Sequence, residues 1–259
     1  MSDALFQSHA GYFEGSELTR GPWDPGAQHG GPVGALLMRA LESVDDGGHG
    51  LKFARVTVEL LKPVPVGQLK CDARVIRPGK RVQILEATIT TLEGSEVARA
   101  RALRVAPAEV DAGPVEPPAI PSFDGVEETD FPFWEGKGFP GGGVEVRMVA
   151  GSFFEPGPAA AWFRLKVPVV GGEAITPIQR LMAAADFPNG ISTELSWTEW
   201  LFINPDFTLF IEREPCGEWI GLDARMRVAA GAAGIAEGVL YDEQGRVGRS
   251  VQTLYIAKR

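Results

Sequence analysis

The sequence of 259 residues contains 25 Lys and Arg against 34 Asp and Glu, which gives a net charge of −9. A chain this acidic has no overall basic surface for phosphate groups, so nucleic acid is not expected as a partner. Hydrophobic residues make up 44% and charged residues 23%, as in ordinary globular proteins, and the length suits one large domain or two smaller ones. Two cysteines and three dispersed histidines exclude a disulfide framework and argue against a metal site.

The N-terminal segment MSDALF has neither the basic stretch nor the apolar stretch of a signal peptide. No run of the chain approaches the roughly 18 uninterrupted apolar residues of a membrane span. We therefore expect a cytoplasmic protein with no membrane partner.

In chain order, the first predicted element is a helix that opens at Gly31-Pro32 and continues through PVGALLMRALESV. Proline suits the first helical position, because the N–H that it lacks would have no acceptor within the helix. Six apolar residues follow helical spacing on one broad face: Val33, Leu36, Leu37, Ala40, Leu41 and Val44. Alternating runs rich in β-branched residues then predict four strands, at residues 54–60, 69–76, 82–91 and 97–105.

Residues 107–143 are rich in Pro, Gly and acidic residues and show no sustained periodicity, which predicts a linker. Its aromatic residues Phe131, Phe133 and Trp134 indicate that part of it packs onto a domain. The predicted organisation is an N-terminal domain of residues 1–106 and a C-terminal domain of residues 144–259.

The second flank repeats the pattern of the first. A helix is predicted from Pro177 through PIQRLMAAADF, and strands are predicted at residues 207–211, 219–228, 234–241 and 247–256. A shift of 151 positions aligns residues 62–105 with residues 213–256 without a gap, with seven identities in 44 positions. This predicts an internal duplication, in which each copy is an antiparallel sheet curved around a helix.

Four runs carry a resemblance to a known family: QHGGPVGALLMRALE, ITPIQRLMAAADFPNGIS, WLFINPDFTLFIEREPCGEWIGLDARMRV and LYDEQGRVGRSVQTLYI. They resemble acyl-CoA thioesterases of type II and their thioesterase-like relatives. The resemblance implies an α+β fold with two tandem hotdog domains, each a sheet wrapped around a long central helix, paired as a pseudo-dimer in one chain. It also implies hydrolysis of an acyl-CoA to free acid and CoA, without a cofactor.

In that family an Asp, a Gln and a Thr of the second hotdog hold and activate a water molecule. By position the Asp is Asp186 in AAADF and the Gln is Gln252 in SVQTL. The Thr position is occupied by Asn204 in NPD, which is a departure, although an amide can also donate and accept hydrogen bonds. By the 151-residue shift Gln252 corresponds to Arg101, and pairing Pro177 with Pro32 places Asp186 opposite Leu41. The first half therefore lacks the polar pair, and one active site per chain is expected.

These assignments imply distinct roles in catalysis. Asp186 accepts a proton from water, Gln252 holds that water with its amide oxygen, and Asn204 fixes a third corner. Structural roles remain open for all three, because Asp186 can end a helix, Gln252 can be a satisfied inward amide and Asn204 can be a turn residue.

Backbone N–H groups at a helix N-terminus suit developing negative charge on a thioester oxygen. The groups that follow Gly30-Gly31 and Thr176 are candidates for this role. His29 in the same AQHGGP turn is a candidate for binding CoA or the thioester, or else an incidental loop residue. No metal ligand is predicted.

Two other functions compete with hydrolysis. The first is a catalytically weak or inactive acyl-CoA- or lipid-binding hotdog protein, which the Asn204 departure keeps open. The second is a hotdog hydratase or dehydratase, which requires a His–Asp pair on the helix, and neither predicted helix contains a His.

The acyl chain is not readable from the sequence. Six aromatic residues are candidates for either a substrate tunnel or an ordinary core: Phe153, Phe154, Trp162, Trp197, Trp200 and Phe202. Because exposed sheet edges favour self-association, a homodimer or a higher homo-oligomer is expected.

Overall fold

The computed structural model describes residues 3–111, 113, 117–131, 138–231 and 233–259. The described residues form helices α1 (Gly30–Glu42), α2 (Pro177–Ala184) and α3 (Pro188–Ile191), a 3-10 turn at Glu17–Thr19 and a π-type turn at Phe139–Gly143. They also form strands β1 (Phe6–His9), β2 (Tyr12–Gly15), β3 (Lys52–Leu60), β4 (Gln68–Arg77), β5 (Val82–Thr91), β6 (Glu96–Val105), β7 (Val144–Ala150), β8 (Ala159–Leu165), β9 (Trp200–Ile203), β10 (Asp206–Ile211), β11 (Ile220–Arg227), β12 (Gly234–Asp242) and β13 (Gly245–Lys258).

The strands belong to one large antiparallel sheet. Its order is β1-β2-β4-β5-β6-β3-β10-β13-β12-β11-β8-β7, and β9 pairs with β13 beside this path. The β3–β10 junction divides the order into two sets of six strands. Outward from the two junction strands, β3 and β10, each side continues with the last strand of its half, β6 or β13, and then with the two strands that precede that strand in sequence.

The strand pairing follows the predicted repeat. Thr57 of β3 lies directly opposite Thr208 of β10, and these residues are 151 positions apart. Their hydroxyl groups are within hydrogen-bonding distance, at 3.1 Å. The pairing registers agree as well, since Lys70 lies opposite Thr90 and, 151 positions later, Gly221 lies opposite Tyr241. The 151-residue shift therefore describes how the halves are built and where they meet.

Helix α1 is buried along nearly its whole length and packs against β4, β5 and β6. It also packs against α2, and the close approach depends on glycine. A Cβ at Gly31 would lie 2.6 Å from the carbonyl oxygen of Ala183, and one at Gly34 would lie 3.2 Å from the Met182 side chain. The two helices therefore touch almost backbone to backbone.

The helices run antiparallel, because each end of one meets the opposite end of the other. At one end, Glu42 accepts hydrogen bonds from Thr176 Oγ1 and Gln179 Nε2, both at 2.8 Å. Burial raises the pKa of Glu42, although these two hydrogen bonds act in the opposite direction. At the other end, Asp186, just beyond α2, lies against His29 at the start of α1.

Described residues of the Pro-rich segment between the halves pack onto the second half. Ile120 forms a buried cluster with Trp162 and Trp219, and the indole N–H of Trp162 donates to the carbonyl of Pro121 at 2.8 Å. Phe131 is buried as predicted. Phe133 and Trp134 lie outside the described residues.

Two features differ from the sequence prediction. The second helix is not a single element through Phe187, because α2 ends at Ala184 and α3 restarts at Pro188, whose ring nitrogen cannot continue the hydrogen bonding. Five strands were not predicted: β1, β2, β7, β8 and β9.

No helix in the described part of the chain has the length and apolar character needed to cross a membrane.

Candidate active site

A cavity of about 560 Å³ opens at the end of the helix pair where α1 begins. Both halves of the chain line it, with His29 and Gly30 from the first and Asp186 and Asn204 from the second. Its remaining wall is mostly apolar. This combination of an apolar wall with a few convergent polar groups is typical of a small-molecule site.

Asp186 is a buried charged group that lines the cavity. It follows the last turn of α2, and only 4% of its surface is exposed. Its Oδ1 accepts from Asn204 Nδ2 at 2.7 Å and from Gln252 Nε2 at 3.2 Å, and its Oδ2 lies 2.9 Å from His29 Nδ1. A buried carboxylate needs such donors, because burial without them would cost several kcal/mol.

Gln252 of β13 is fully buried and does not line the cavity. Its Nε2 donates to the backbone oxygen of Asp186 at 3.0 Å as well as to the carboxylate, and its Oε1 accepts from the backbone N–H of Asn189 at 2.9 Å. The amide oxygen that was predicted to hold water is thus bonded to α3. These contacts make Gln252 a support for Asp186.

Asn204 lies at the turn between β9 and β10 and forms part of the cavity wall. It donates to Asp186, and its Oδ1 accepts from Asn189 Nδ2 at 3.3 Å. Asn189 is the polar residue that the sequence did not indicate. No sequence motif marks it as a site residue, and only the fold places it in contact with both Gln252 and Asn204.

His29 is the N-cap of α1, and its Nδ1 lies 3.0 Å from the backbone nitrogen of Gly31. Its ring packs against the rings of Phe139 and Phe187, with centroid separations of 5.2 and 4.7 Å, and those two rings also contact each other at 5.8 Å. The structure thus joins His29 of one half to Asp186 of the other, a contact across 157 positions of sequence.

Gly30 is required by this packing. A Cβ at Gly30 would lie 2.6 Å from Asp186 Oδ2, so any side chain would displace the carboxylate. Gly30 lines the cavity at the first position of α1, where backbone N–H groups have no acceptor within the helix. Gly31 is buried behind it, and Thr176 lies at the opposite end of the helix pair.

The six candidate aromatic residues separate into different environments. Phe153 and Trp197 line the cavity and stack at 5.5 Å. Trp162 lies in the cluster beneath the Pro-rich segment, and Phe202 is fully buried. Phe154 is exposed, while Trp200 lies beneath the Lys258 ammonium group.

The rest of the cavity wall is supplied by other aromatic and aliphatic groups. Trp23 stacks on Trp197 at 5.1 Å, and Phe187 and Tyr255 complete the aromatic lining. Lys62 is a cation on the same wall.

In the described ranges, no cluster of His, Cys, Asp and Glu has an arrangement that could hold a metal ion.

Comparison with known proteins places the chain in a family. Residues 19–105 match the model of the acyl-CoA thioesterase N-terminal domain, and residues 114–256 match that of the acyl-CoA thioesterase C-terminal domain. The chain therefore belongs to the acyl-CoA thioesterase family. No curated protein has a significant sequence match to it.

Solved structures with the same fold cover almost the whole chain. A conserved hot dog fold protein from Alicyclobacillus acidocaldarius is 17% identical, with a TM-score of 0.73 over 98% of this chain and 95% of that one. An acyl-CoA thioesterase II from Mycobacterium marinum is 17% identical, with a TM-score of 0.67 over 96% and 93%. At such identities the likeness establishes a hotdog fold.

Proposed function

We propose that the chain is an acyl-CoA thioesterase that hydrolyses an acyl-CoA to a free acid and CoA at the cavity between the helix ends. The observation that carries this proposal is the buried Asp186 carboxylate, held by Asn204 and Gln252 and facing an apolar cavity. Family membership supplies the class of substrate, and the apolar wall suits an acyl chain.

The proposed organisation is two tandem hotdog domains, residues 1–106 and 144–259, joined by the segment 107–143. The strand order on either side of the β3–β10 junction and the 151-residue pairing register support it. In this arrangement the catalytic carboxylate belongs to the second domain, and the first domain contributes the N-terminus of α1.

Hydrolysis requires a water molecule activated near the thioester carbon and donors at the carbonyl oxygen. Asp186 supplies the negative charge that draws a proton from water, while Gln252 and Asn204 fix the carboxylate in place. The N–H of Gly30 is the candidate donor to the oxygen that becomes negative, because it lies on the cavity wall at a helix N-terminus.

The first experiment compares wild type with Asp186→Asn. Free-thiol release is measured from acyl-CoAs of increasing chain length and from an aromatic acyl-CoA. We expect wild-type turnover, and a fall in kcat/KM of at least about 100-fold in the variant, because a general base contributes about 10²–10⁴-fold. Asp72→Asn, a change at an exposed position, is the matched control and should keep full activity.

The same assay decides between the competing functions. Tight acyl-CoA binding without thiol release by wild type would refute hydrolysis and leave a binding protein. Consumption of an unsaturated acyl-CoA without thiol release would indicate hydration. Turnover that survives in Asp186→Asn would place the chemistry elsewhere in the molecule.

A further inference from the structure

The contacts of His29 contain a conflict. Its Nδ1 lies 2.9 Å from Asp186 Oδ2 and 3.0 Å from the backbone nitrogen of Gly31. One ring nitrogen carries either a proton or a lone pair, so it cannot donate to the carboxylate and accept from an N–H at once. The location of the proton depends on which of these two hydrogen bonds is worth more.

The hydrogen bond to the Asp186 carboxylate is the stronger of the two. A hydrogen bond to a charged group contributes about 1.5–3 kcal/mol, against about 0.5–1.5 kcal/mol between neutral groups. Oδ1 of Asp186 already accepts from Asn204 and Gln252, so His29 is the donor that serves Oδ2. The proton therefore belongs on Nδ1, and in the neutral imidazole this leaves the lone pair on Nε2.

Nε2 is the ring nitrogen available to a ligand. In the described part of the chain, both polar contacts of the ring are made through Nδ1, and His29 forms part of the cavity wall. Phe139 and Phe187 pack against the ring and restrict its rotation. The His29 side chain is 11% exposed against 4% for Asp186, so the imidazole is the more accessible of the two groups.

We propose that His29 is a catalytic residue of the thioesterase reaction and that Asp186, whose negative charge draws the proton from water, does so through the imidazole and not by taking the proton itself. Nε2 takes one proton from water while Nδ1–H remains bonded to Asp186. The water oxygen forms a bond to the thioester carbon, the carbon–sulfur bond then breaks, and the proton on Nε2 passes to the departing sulfur. The products are one carboxylic acid and one CoA thiol, and the imidazole is restored. This inference rests on the proposed function.

His29→Asn tests the inference with a residue that can itself cap α1. Asparagine is among the best N-cap residues, and its side-chain oxygen can accept from the N–H of Gly31. We expect kcat/KM for thiol release to fall at least about 100-fold, with the unfolding temperature close to that of wild type. His9→Asn, at an exposed histidine that pairs with Glu14, is the matched control and should leave activity unchanged.

His29→Gly adds a readout that a purely structural role would not change. Glycine is tolerated as an N-cap, and the missing ring leaves space for added imidazole. Imidazole should restore thiol release by His29→Gly at least tenfold, and should not restore it in Asp186→Asn.

The possible results separate the two proposals. Activity of His29→Asn within about fivefold of wild type, with Asp186→Asn inactive, would overturn the role of His29 and leave hydrolysis at Asp186 intact. Absence of imidazole rescue in a folded His29→Gly variant would also count against it. Absence of turnover in wild type would instead overturn the proposed function.

Discussion

Asn204 takes the position at which the family resemblance implies a threonine. Its Nδ2 donates to Asp186 Oδ1 at 2.7 Å, and its Oδ1 accepts from Asn189. A threonine hydroxyl also has one hydrogen to donate, whereas alanine has none. We therefore expect that this position has to supply a hydrogen-bond donor to the carboxylate, and that the donor need not be an amide.

Two replacements of Asn204 should show whether the donated hydrogen bond or the amide group matters for activity. Asn204→Ala removes a donor to a buried charge, worth about 1.5–3 kcal/mol, so kcat/KM should fall by about 10- to 100-fold. Asn204→Thr should stay within about tenfold of wild type. Thiol-release kinetics check both, with thermal unfolding as the control for folding. Equal losses in the two variants would contradict the idea that a single donor is sufficient.

Individual site residues differ in how far sequence could predict them. Asp186, Gln252 and Asn204 stand in runs that resemble the family, so their positions could be named, and the structure brings all three together. The contacts that these residues make could not be predicted from the sequence. The bond from Asn189 to Gln252 of β13 and the pairing of His29 with Asp186 join residues 63 and 157 positions apart, and no local spacing encodes them.

The β12–β13 hairpin depends on a buried ion pair. Asp242 is fully buried, receives two hydrogen bonds from Arg213, and accepts from the backbone N–H groups of Cys216, Gln244 and Gly245. Burial alone would raise the pKa of Asp242, but the bonds from Arg213 and the backbone outweigh it and hold the pKa below its usual range.

Arg213→Met should therefore destabilise the protein by about 3 kcal/mol, since it leaves a buried carboxylate without its cation. Arg246→Met removes an exposed pair with Glu212 and should cost no more than about 1 kcal/mol. Urea unfolding at neutral pH measures both free energies. Similar losses in the two variants would show that the Asp242 pair is no stronger than a surface pair.

The contribution of Asp242 to the free energy of unfolding depends on pH in a defined direction. Because the pKa of Asp242 is lower in the folded than in the unfolded state, its contribution is present above the unfolded value and is lost as pH falls through the folded one. Below the ordinary value of 3.8, wild type should thus lose stability from this group. The difference in unfolding free energy between wild type and Arg213→Met should shrink on acidification, and a constant difference would contradict the assignment.

Periodicity was informative for long elements and not for short ones. The predicted strand at 82–91 agrees with β5 at both ends, because its alternation spans ten residues. Strands β1 and β2 have four residues each and form a hairpin around Gly11, too short for a period to emerge. Strand β8 is nearly continuous in apolar residues, a pattern that fits a buried helix equally well.

At the scale of the whole molecule, the end strands of the sheet are partly covered. The backbone N–H groups of Leu5 and Phe6 bond to the carbonyls of Pro168 and Val169, beside β1, and Thr129 bonds to Val146 in β7. Part of the hydrogen-bonding capacity that was expected to drive self-association is therefore used within the chain. Self-association itself stays a prediction.

The continuous sheet predicts that the connection between the halves is dispensable once the chain has folded. Val110 is exposed, in a stretch without regular structure. A protease site inserted after it should allow complete cleavage, while β3–β10 pairing and helix packing keep the fragments together. Size-exclusion chromatography should show one complex with the thiol-release activity of the uncut chain. Separation of the fragments would mean that the covalent link holds the halves.

The two ends of the helix pair differ in their polar contacts. At one end, Glu42 fastens α1 to the first turn of α2, and at the other, Asp186 meets His29 and Gly30 beside a cavity. In a pair of identical domains, every substitution would alter both ends together. A chain that holds both halves is free of that constraint, so one end can be selected for fastening and the other for reactivity. The proposed two-domain organisation would thus remove a conflict between stability and activity that a symmetric dimer has to resolve at every position.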